Sequence, residues 1–393
     1  MKILHTSDWH LGQNFMGKSR YEEHKAFLSW LYETILHREI DVLLVSGDIF
    51  DTGTPPNYAL ELYYNFIRQL HESSCRMVVT AGNHDSIATL KAPRQLLEAM
   101  RVDLVTGEEI PEPIVIEKDG EAAGIVCAVP FLREGMVRKS LESSCVSEKE
   151  RQLTEGIEHY YRTVCEAAEK VRAGRDIPII GMGHLTTLGG KSSESEREIY
   201  VGGSLHIDSA FFVSLFDYTA LGHLHKNQRV GEGVWYSGSP IPLSFSETGQ
   251  KRVNIVTFEG RVPQVERVDI PLFRPLLSLR GKLHEVLEAL ENIGEKESWI
   301  EVHVDDDNPY EANRRIRQAA EEMGLQLLLV RLEQSVARLR EHDVEAISLD
   351  ELTPLEVFEK RLDADSSEDE QMREVLIRRF KEVVSEVQND ENP

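Results

Sequence analysis

The chain has 393 residues, 41% of them hydrophobic and 28% charged, with a formal net charge of −24; that length exceeds one ordinary core, so two or three domains are expected. The acidity argues against holding nucleic acid by bulk electrostatics, because phosphate contacts need Lys and Arg. It is uneven, however: residues 341–393 carry 17 acids and 6 bases, a net of −11, so acidity weakens a nucleic-acid reading without excluding it.

In chain order, residues 2–5 read as a strand running into Asp8-Trp9-His10. Taken alone, this D-x-H fits a turn former beside a surface histidine. It also fits a metal site, since residues two apart in a rigid turn can aim a carboxylate and an imidazole at one point. Glu22 to His37 reads as a helix with Phe27, Leu28, Leu31 and Ile35 on one face. Residues 41–46 (DVLLVS) form a buried-strand run into Gly47-Asp48-Ile49-Phe50-Asp51. A second helix is expected over Pro56–His71. Its apolar residues from Tyr58 to Ile67 cover more than one stripe, which either a second subunit or a covering loop would explain. The strand at 76–81 leads into Gly82-Asn83-His84-Asp85. Further strands at 124–129, 178–183, 217–222, 234–237 and 253–258 include two that lead into His184 and into His223-Leu224-His225.

This series implies an α/β layered architecture of two sheets with helices outside, over residues 1–272. Prolines 263, 271 and 275 are read as a linker to a small α+β domain at 275–340, with strands at LLSL, 298–304 and LQLLLVRL. Its helices cover Lys282–Ile293 and the stretch from Asn308, Pro309 and Glu311 (N-cap, first position and capping box) to Met323. A helical tail at 346–393 has two more capped starts, at Thr353-Pro354 and Ser367. Leu355, Phe358 and Leu362, then Met372, Leu376, Phe380, Val383 and Val387, lie at helical spacing. That stripe suits docking in a partner's groove or packing on its own domain. No run of eighteen apolar residues occurs, and the first strand starts too early for a targeting peptide, so a cytoplasmic protein is expected. Four cysteines without C-x-x-C spacing read as buried, reduced thiols.

Five strands thus end in residues of metal-ligating type, four of them with a Gly immediately before. The order D-x-H, G-D-x-x-D, G-N-H-D, G-H, G-H-x-H resembles the calcineurin-like metallophosphoesterase superfamily over residues 4 to 245. The stretches ILHTSDWHLGQNF, SGDIFDTGTPP, AGNHDS, GHLT, LGHLH and SGSPIPLSF narrow the resemblance to the bacterial SbcD family, over essentially the whole chain.

The resemblance implies a two-sheet metallophosphoesterase with a small capping domain. It implies two divalent cations, with manganese the family's preference. Asp8, His10 and His225 would hold one, Asn83, His184 and His223 the other, and Asp48 both. A bridging carboxylate of this kind holds cations about 3.5–4 Å apart and activates a water for in-line attack on phosphorus. His84 would act catalytically without ligating, with Asp85 orienting its imidazole. Asp51 is read as standing behind the ligands. The implied activity is DNA phosphodiester hydrolysis, as a 3′–5′ double-strand exonuclease and a single-strand and hairpin endonuclease in replication, recombination and repair. The implied partner is the ATPase SbcC, bound by the tail, in an assembly of two SbcC and two SbcD with a homodimer at its centre. A phosphomonoesterase on the same scaffold stays open as an alternative, and a scaffold with a decayed site is disfavoured because all seven ligand positions carry ligating residues.

Overall fold

The computed structural model describes residues 1–107, 110–137, 146–192, 195–196, 207–306, 308–332 and 379–380. Two six-stranded sheets are built from short runs, the central ones buried on both faces and the edge strands partly exposed. One has the order Val262–Asp269, Arg252–Glu259, Lys2–Thr6, Val42–Ser46, Arg76–Thr80, Val102–Val105. The other has the order Gln228–Gly231, Val234–Tyr236, Tyr218–Gly222, Ile179–His184, Glu121–Ala128, Ile114–Lys118. Side chains alternate between the faces of a strand. Ile3, Val42, Leu44 and Val78 therefore fill the space between the sheets, against Val126, Ile180, Met182 and Ala220. Their neighbours Leu4, Leu43, Val45, Met77 and Val79 pack on the outer face with the helices Tyr21–His37 and Asn57–His71. The other outer face packs Ile125, Cys127, Ile179 and Leu221 against Leu153, Ile157, Tyr161 and Val164 of the helix Val146–Arg172.

Lys2–Thr6, Val42–Ser46 and Arg76–Thr80 are parallel, as are Ile179–His184 and Tyr218–Gly222. Parallel pairing brings strand C-termini to a common edge, where ligand sites of α/β sheets form. Two polar bonds join the sheets just below that edge. Ser46 Oγ donates to the Ala220 carbonyl at 3.0 Å, and Ser237 Oγ to the His5 carbonyl at 3.0 Å.

His5 itself crosses the sandwich. Its Nε2 lies 3.2 Å from the Leu221 carbonyl and its Nδ1 3.0 Å from the Tyr218 hydroxyl. A carbonyl only accepts, so Nε2 carries the proton and Nδ1 accepts from the tyrosine. Burial pushes the His5 pKa down from 6.5 to about 3, against a smaller opposing effect of the Leu221 bond. Below pH 6.5 the unfolded chain takes up a proton at this residue that the folded chain refuses. Stability is therefore fully present above that pH and lost as pH falls toward 3, by about 1.4 kcal/mol per pH unit from this one residue. His5→Gln is expected to lower stability at pH 7.5 by about 1–3 kcal/mol but to flatten this acid limb. Denaturant melts at pH 7.5 and 5 check it; an equally steep acid limb in the variant would reject the assignment.

The linker reading needs one correction. Pro263 lies inside the strand Val262–Asp269, opposite Phe258. That strand is at the sheet edge, where a residue without an N–H leaves no ladder bond broken. Pro271 and Pro275 do fall between it and the next strand. The small domain has three parallel strands, Leu276–Lys282, Trp299–Asp305 and Gln326–Leu332, connected by the helices Leu283–Glu291 and Pro309–Met323. Asn308 caps the second helix, its side chain accepting from the Glu311 N–H, and Gly324 closes it at φ 68°. At the junction with the larger domain the Phe15 and Trp299 rings stack, with centroids 5.5 Å apart. The fully buried Arg20 lies over both rings, bonds Glu23 and donates to the Pro242 carbonyl.

Cys75, Cys127 and Cys165 are buried and free. Among the described residues no helix is long and apolar enough to cross a membrane. Cys145 and the capped helix expected at 353–362 lie outside the described residues, as does the one expected at 367–387 apart from residues 379–380, which are helical.

Candidate metal centre

The strand-end turns are unusually sharp. Asp8, His10, Asp48 and His223 have φ of 52°, 45°, 51° and 95°. Each costs energy for a residue with a Cβ, and such positions cluster where function fixes the backbone. Main-chain bonds hold the first two turns together: Asp8 N to Gly47 O at 3.1 Å, His10 N to Asp48 O at 3.1 Å, and Leu11 N to Ile49 O at 2.9 Å. Two glycines before the ligating residues are required by space. A Cβ on Gly82 would stand 2.1 Å from Asp48 Oδ1, and one on Gly222 1.8 Å from the Ser46 carbonyl oxygen.

The structure brings together all nine residues singled out in the sequence. Ligand atoms of Asp8, His10 and His225 lie within 4.8 Å of one another, as do those of Asp8, Asp48 and His184. Asp48 stands between the two groups. Its Oδ2 is 3.3 Å from His184 Nε2 and 3.7 Å from His10 Nε2, while Oδ1 accepts from the His84 N–H at 2.9 Å. Asn83 Oδ1 is 2.8 Å from His184 Nε2, and the His184 and His223 rings are 5.4 Å apart. Asp8 Oδ1 accepts from the His223 N–H at 2.9 Å and Oδ2 from Ser7 Oγ at 2.6 Å. Asp8, His10, Asp48, His184, His223 and His225 are buried; Asn83 and His84 are half-buried.

This donor set fits a pair of cations. His184 Nδ1 lies 3.0 Å from the Ser46 carbonyl, which can only accept, so Nδ1 carries a proton. Its Nε2 then converges with oxygens of Asp48 and Asn83, and a positive charge, carried by a proton or by a cation in its place, must sit among them. Burial works to lower the His184 pKa, but the charges of Asp48 and Asp8 and the bonds to Asp48 and Ser46 outweigh it and raise it to about 9. Burial also opposes the Asp48 charge, yet His184, His10 and His84 hold it well below the usual carboxylate range. His10 Nε2 is buried without a hydrogen-bond partner.

A family model described as calcineurin-like phosphoesterase matches residues 1–227, and one described as type 5 capsule protein repressor C-terminal domain matches residues 272–366. The SbcD subunit of the nuclease SbcCD of Escherichia coli (strain K12) is 39% identical, over 95% of each chain. The chain belongs to the SbcD family of calcineurin-like phosphoesterases. The SbcD subunit from Bacillus subtilis (strain 168) is 34% identical over 81% of this chain and 83% of its own. That from Rhodobacter capsulatus is 35% identical over 75% and 76%. The fold of this family implies a site for two metal ions, and the residues above supply the donors.

Around this SbcD-family centre the side chains behind the ligands differ from the sequence reading at one point. Asp85 does not orient His84. The ring of His84 uses Nδ1, 2.7 Å from the Asp51 main-chain carbonyl. Asp85 is buried, and its oxygens accept from the N–H groups of Gly82 (2.8 Å), Phe50 (3.0 Å) and Ile49 (3.2 Å). With these three main-chain bonds it fixes the Asp48 and Asn83 turns to each other. Burial and the charge of Asp48 raise its pKa to about 6, against those three bonds. Asp51 lies beside His10, with Oδ1 3.2 Å from His10 Nδ1. Sequence reasoning missed Ser195, Glu196, Glu247 and Lys251, which surround His225. Glu247 lies in the loop after SGSPIPLSF, whose spacing gives no hint of an approach to His225.

Proposed function

We propose that this chain is the nuclease subunit of an SbcC–SbcD complex, a metal-dependent hydrolase of DNA phosphodiesters. The convergence of seven ligating side chains from five strand ends, on a chain 39% identical to an SbcD nuclease subunit along its length, carries this reading. Asp8, His10 and His225 hold one cation, Asn83, His184 and His223 the other, and Asp48 both. Manganese suits the mixed carboxylate, imidazole and amide set. When bound, the two cations neutralise charge on the phosphoryl oxygens and activate water. The chain's own part is orientation. Main-chain bonds to Asp8 and Asp48 fix both carboxylates, Asn83 keeps the set from gaining a third negative charge, and His84 is the group assigned to substrate. A 3′–5′ exonuclease on duplex ends and an endonuclease on single strands and hairpins, in replication, recombination and repair in the cytoplasm, fit this assignment.

The domain boundaries proposed are 1–272 for the nuclease domain, 275–340 for the capping domain and 346–393 for the tail. Too acidic for a DNA grip, yet carrying a long apolar stripe, the tail is assigned to SbcC. Two SbcC and two SbcD chains, with SbcD as a homodimer, complete the assembly.

One experiment tests both parts. The full chain and a chain lacking residues 346–393 are assayed with Mn²⁺ on hairpin and linear duplex DNA and on p-nitrophenyl phosphate, with and without SbcC. The full chain should cleave DNA. The shortened chain should still cleave single strands but lose co-purification with SbcC and ATP-dependent duplex cutting. Monoester hydrolysis with DNA left intact would make the protein a phosphomonoesterase. SbcC binding at full strength without the tail would reject the partner surface.

A further inference from the structure

The two cation positions are not backed alike. Resting on the ligand assignment above, we propose that Glu247 is a positioning residue for the position built from Asp8, His10 and His225, and that this position fills first. The Glu247 side chain is only 5% exposed beside His225, with Oε1 3.4 Å from His225 Nδ1. Ser195 Oγ bridges the same two groups, 2.6 Å from Nδ1 and hydrogen-bonded to Oε1. A carboxylate only accepts, so the serine hydroxyl donates to Glu247 and accepts from the ring. Nδ1 thus carries the proton, and Nε2 is the ligating atom.

The other oxygen of Glu247 is held by Lys251 Nζ and accepts from the Leu243 N–H at 3.2 Å. Lys251 also donates to the His225 main-chain carbonyl at 3.1 Å and to Ser239 Oγ at 2.7 Å. One ion pair therefore grips both the ring and the backbone of His225. Glu196 adds a third hold, accepting from the His225 N–H at 2.7 Å. Lys251 balances the Glu247 charge, so the glutamate stays behind the histidine instead of competing for the cation.

The contrast is with His184. Its Nδ1 donates to a neutral carbonyl, that of Ser46, at 3.0 Å, with the Asp8 carboxylate farther off at 3.9 Å, and its companion ligand Asn83 is neutral. At the first position both imidazoles have carboxylates behind them, Asp51 for His10 and Glu247 for His225. A carboxylate behind a ligating imidazole raises its basicity and fixes its tautomer, and removing such a partner costs about 10- to 100-fold in metal affinity. The first position also holds two carboxylate ligands, Asp8 and the shared Asp48, against one at the second. Charge and basicity point the same way.

The test titrates Mn²⁺ into the metal-stripped full chain by calorimetry, with low-temperature electron paramagnetic resonance to separate single from exchange-coupled ions. The wild-type chain should bind in two steps at least about 10-fold apart and show an isolated ion at one equivalent. Glu247→Gln should weaken the tighter step about 10- to 100-fold and leave the weaker one within about threefold. The steps then converge, and coupled pairs appear at one equivalent. Ser195→Ala removes only the bridging hydroxyl and should weaken the tighter step several-fold; it carries the test if Glu247→Gln fails to fold. A tighter step within twofold of wild type in both variants, or equal weakening of both steps, overturns the proposal. His225→Ala separates the two levels: loss of the tighter step alone upholds the ligand assignment, whereas retention of both cations rejects it and this inference together.

Discussion

Asp48→Ala is expected to abolish DNA cleavage, by at least about 10³-fold, and to lower the metal content below two ions per chain. Removing one preorganised electrostatic group from an active site costs 10²–10³-fold, and Asp48 reaches toward both ligand groups. Its carboxylate lies between His184 and His10, at 3.3 and 3.7 Å, and accepts from the His84 N–H. Without it the two imidazoles face each other with no shared anion. Binding a first cation would then raise the cost of a second instead of preparing its place. The fold should survive. The lost bond leaves one main-chain N–H unsatisfied, at about 1–3 kcal/mol, while a buried charge is removed as well. Metal analysis by mass spectrometry, a thermal melt and the Mn²⁺ nuclease assay check this together. Two ions per chain with normal cleavage would sink the bridging role; loss of the fold would show that Asp48 is chiefly structural.

The positions assigned as ligands were legible as a cluster because the fold concentrates them. Each lies within a few residues of a parallel strand's C-terminus, so a strand run followed by Gly and a ligating residue marks the position without knowledge of distant contacts. What lies behind the ligands follows no such rule. Glu247 reaches His225 across 22 residues of loop and hairpin, and Asp85 clamps main-chain donors 35 and 36 residues earlier. Adjacency suggested His84 as the partner of Asp85, but neighbouring side chains in a turn diverge, and the donors of the adjoining turn were nearer. The helix Val146–Arg172 is a different case. The sequence reading places no helix there, yet Leu153, Ile157, Tyr161, Val164 and Ala168 follow one helical face and are buried. The signal was present in the spacing and obscured by the many charged residues between. Pro263 misled for the opposite reason, since a proline is tolerated in an edge strand.

His84→Ala should separate catalysis from ligation. Proximity does not, because a ring nitrogen of His84 also lies within 4.8 Å of ligand atoms of His10 and Asp48. Its bonding distinguishes it. The main-chain N–H donates to Asp48 and Nδ1 to the Asp51 carbonyl, so the ring is held at its edge, with Nε2 the atom assigned to substrate. It is half-buried, whereas the imidazoles assigned as ligands are buried. The ring also packs edge-on to His10, with centroids 4.8 Å apart. A histidine so placed can stabilise charge on the transferring phosphoryl group or protonate the leaving oxygen, help that contributes about 10²–10⁴-fold. The variant keeps the main-chain donor to Asp48, so the shared carboxylate stays in place. Turnover should fall by about 10²–10⁴-fold with two metal ions still bound and KM little changed. Single-turnover cleavage with Mn²⁺, alongside metal analysis, distinguishes the outcomes. Loss of an ion would make His84 a ligand. Unchanged turnover would leave its ring a packing partner of His10 and return the task of leaving-group protonation to solvent.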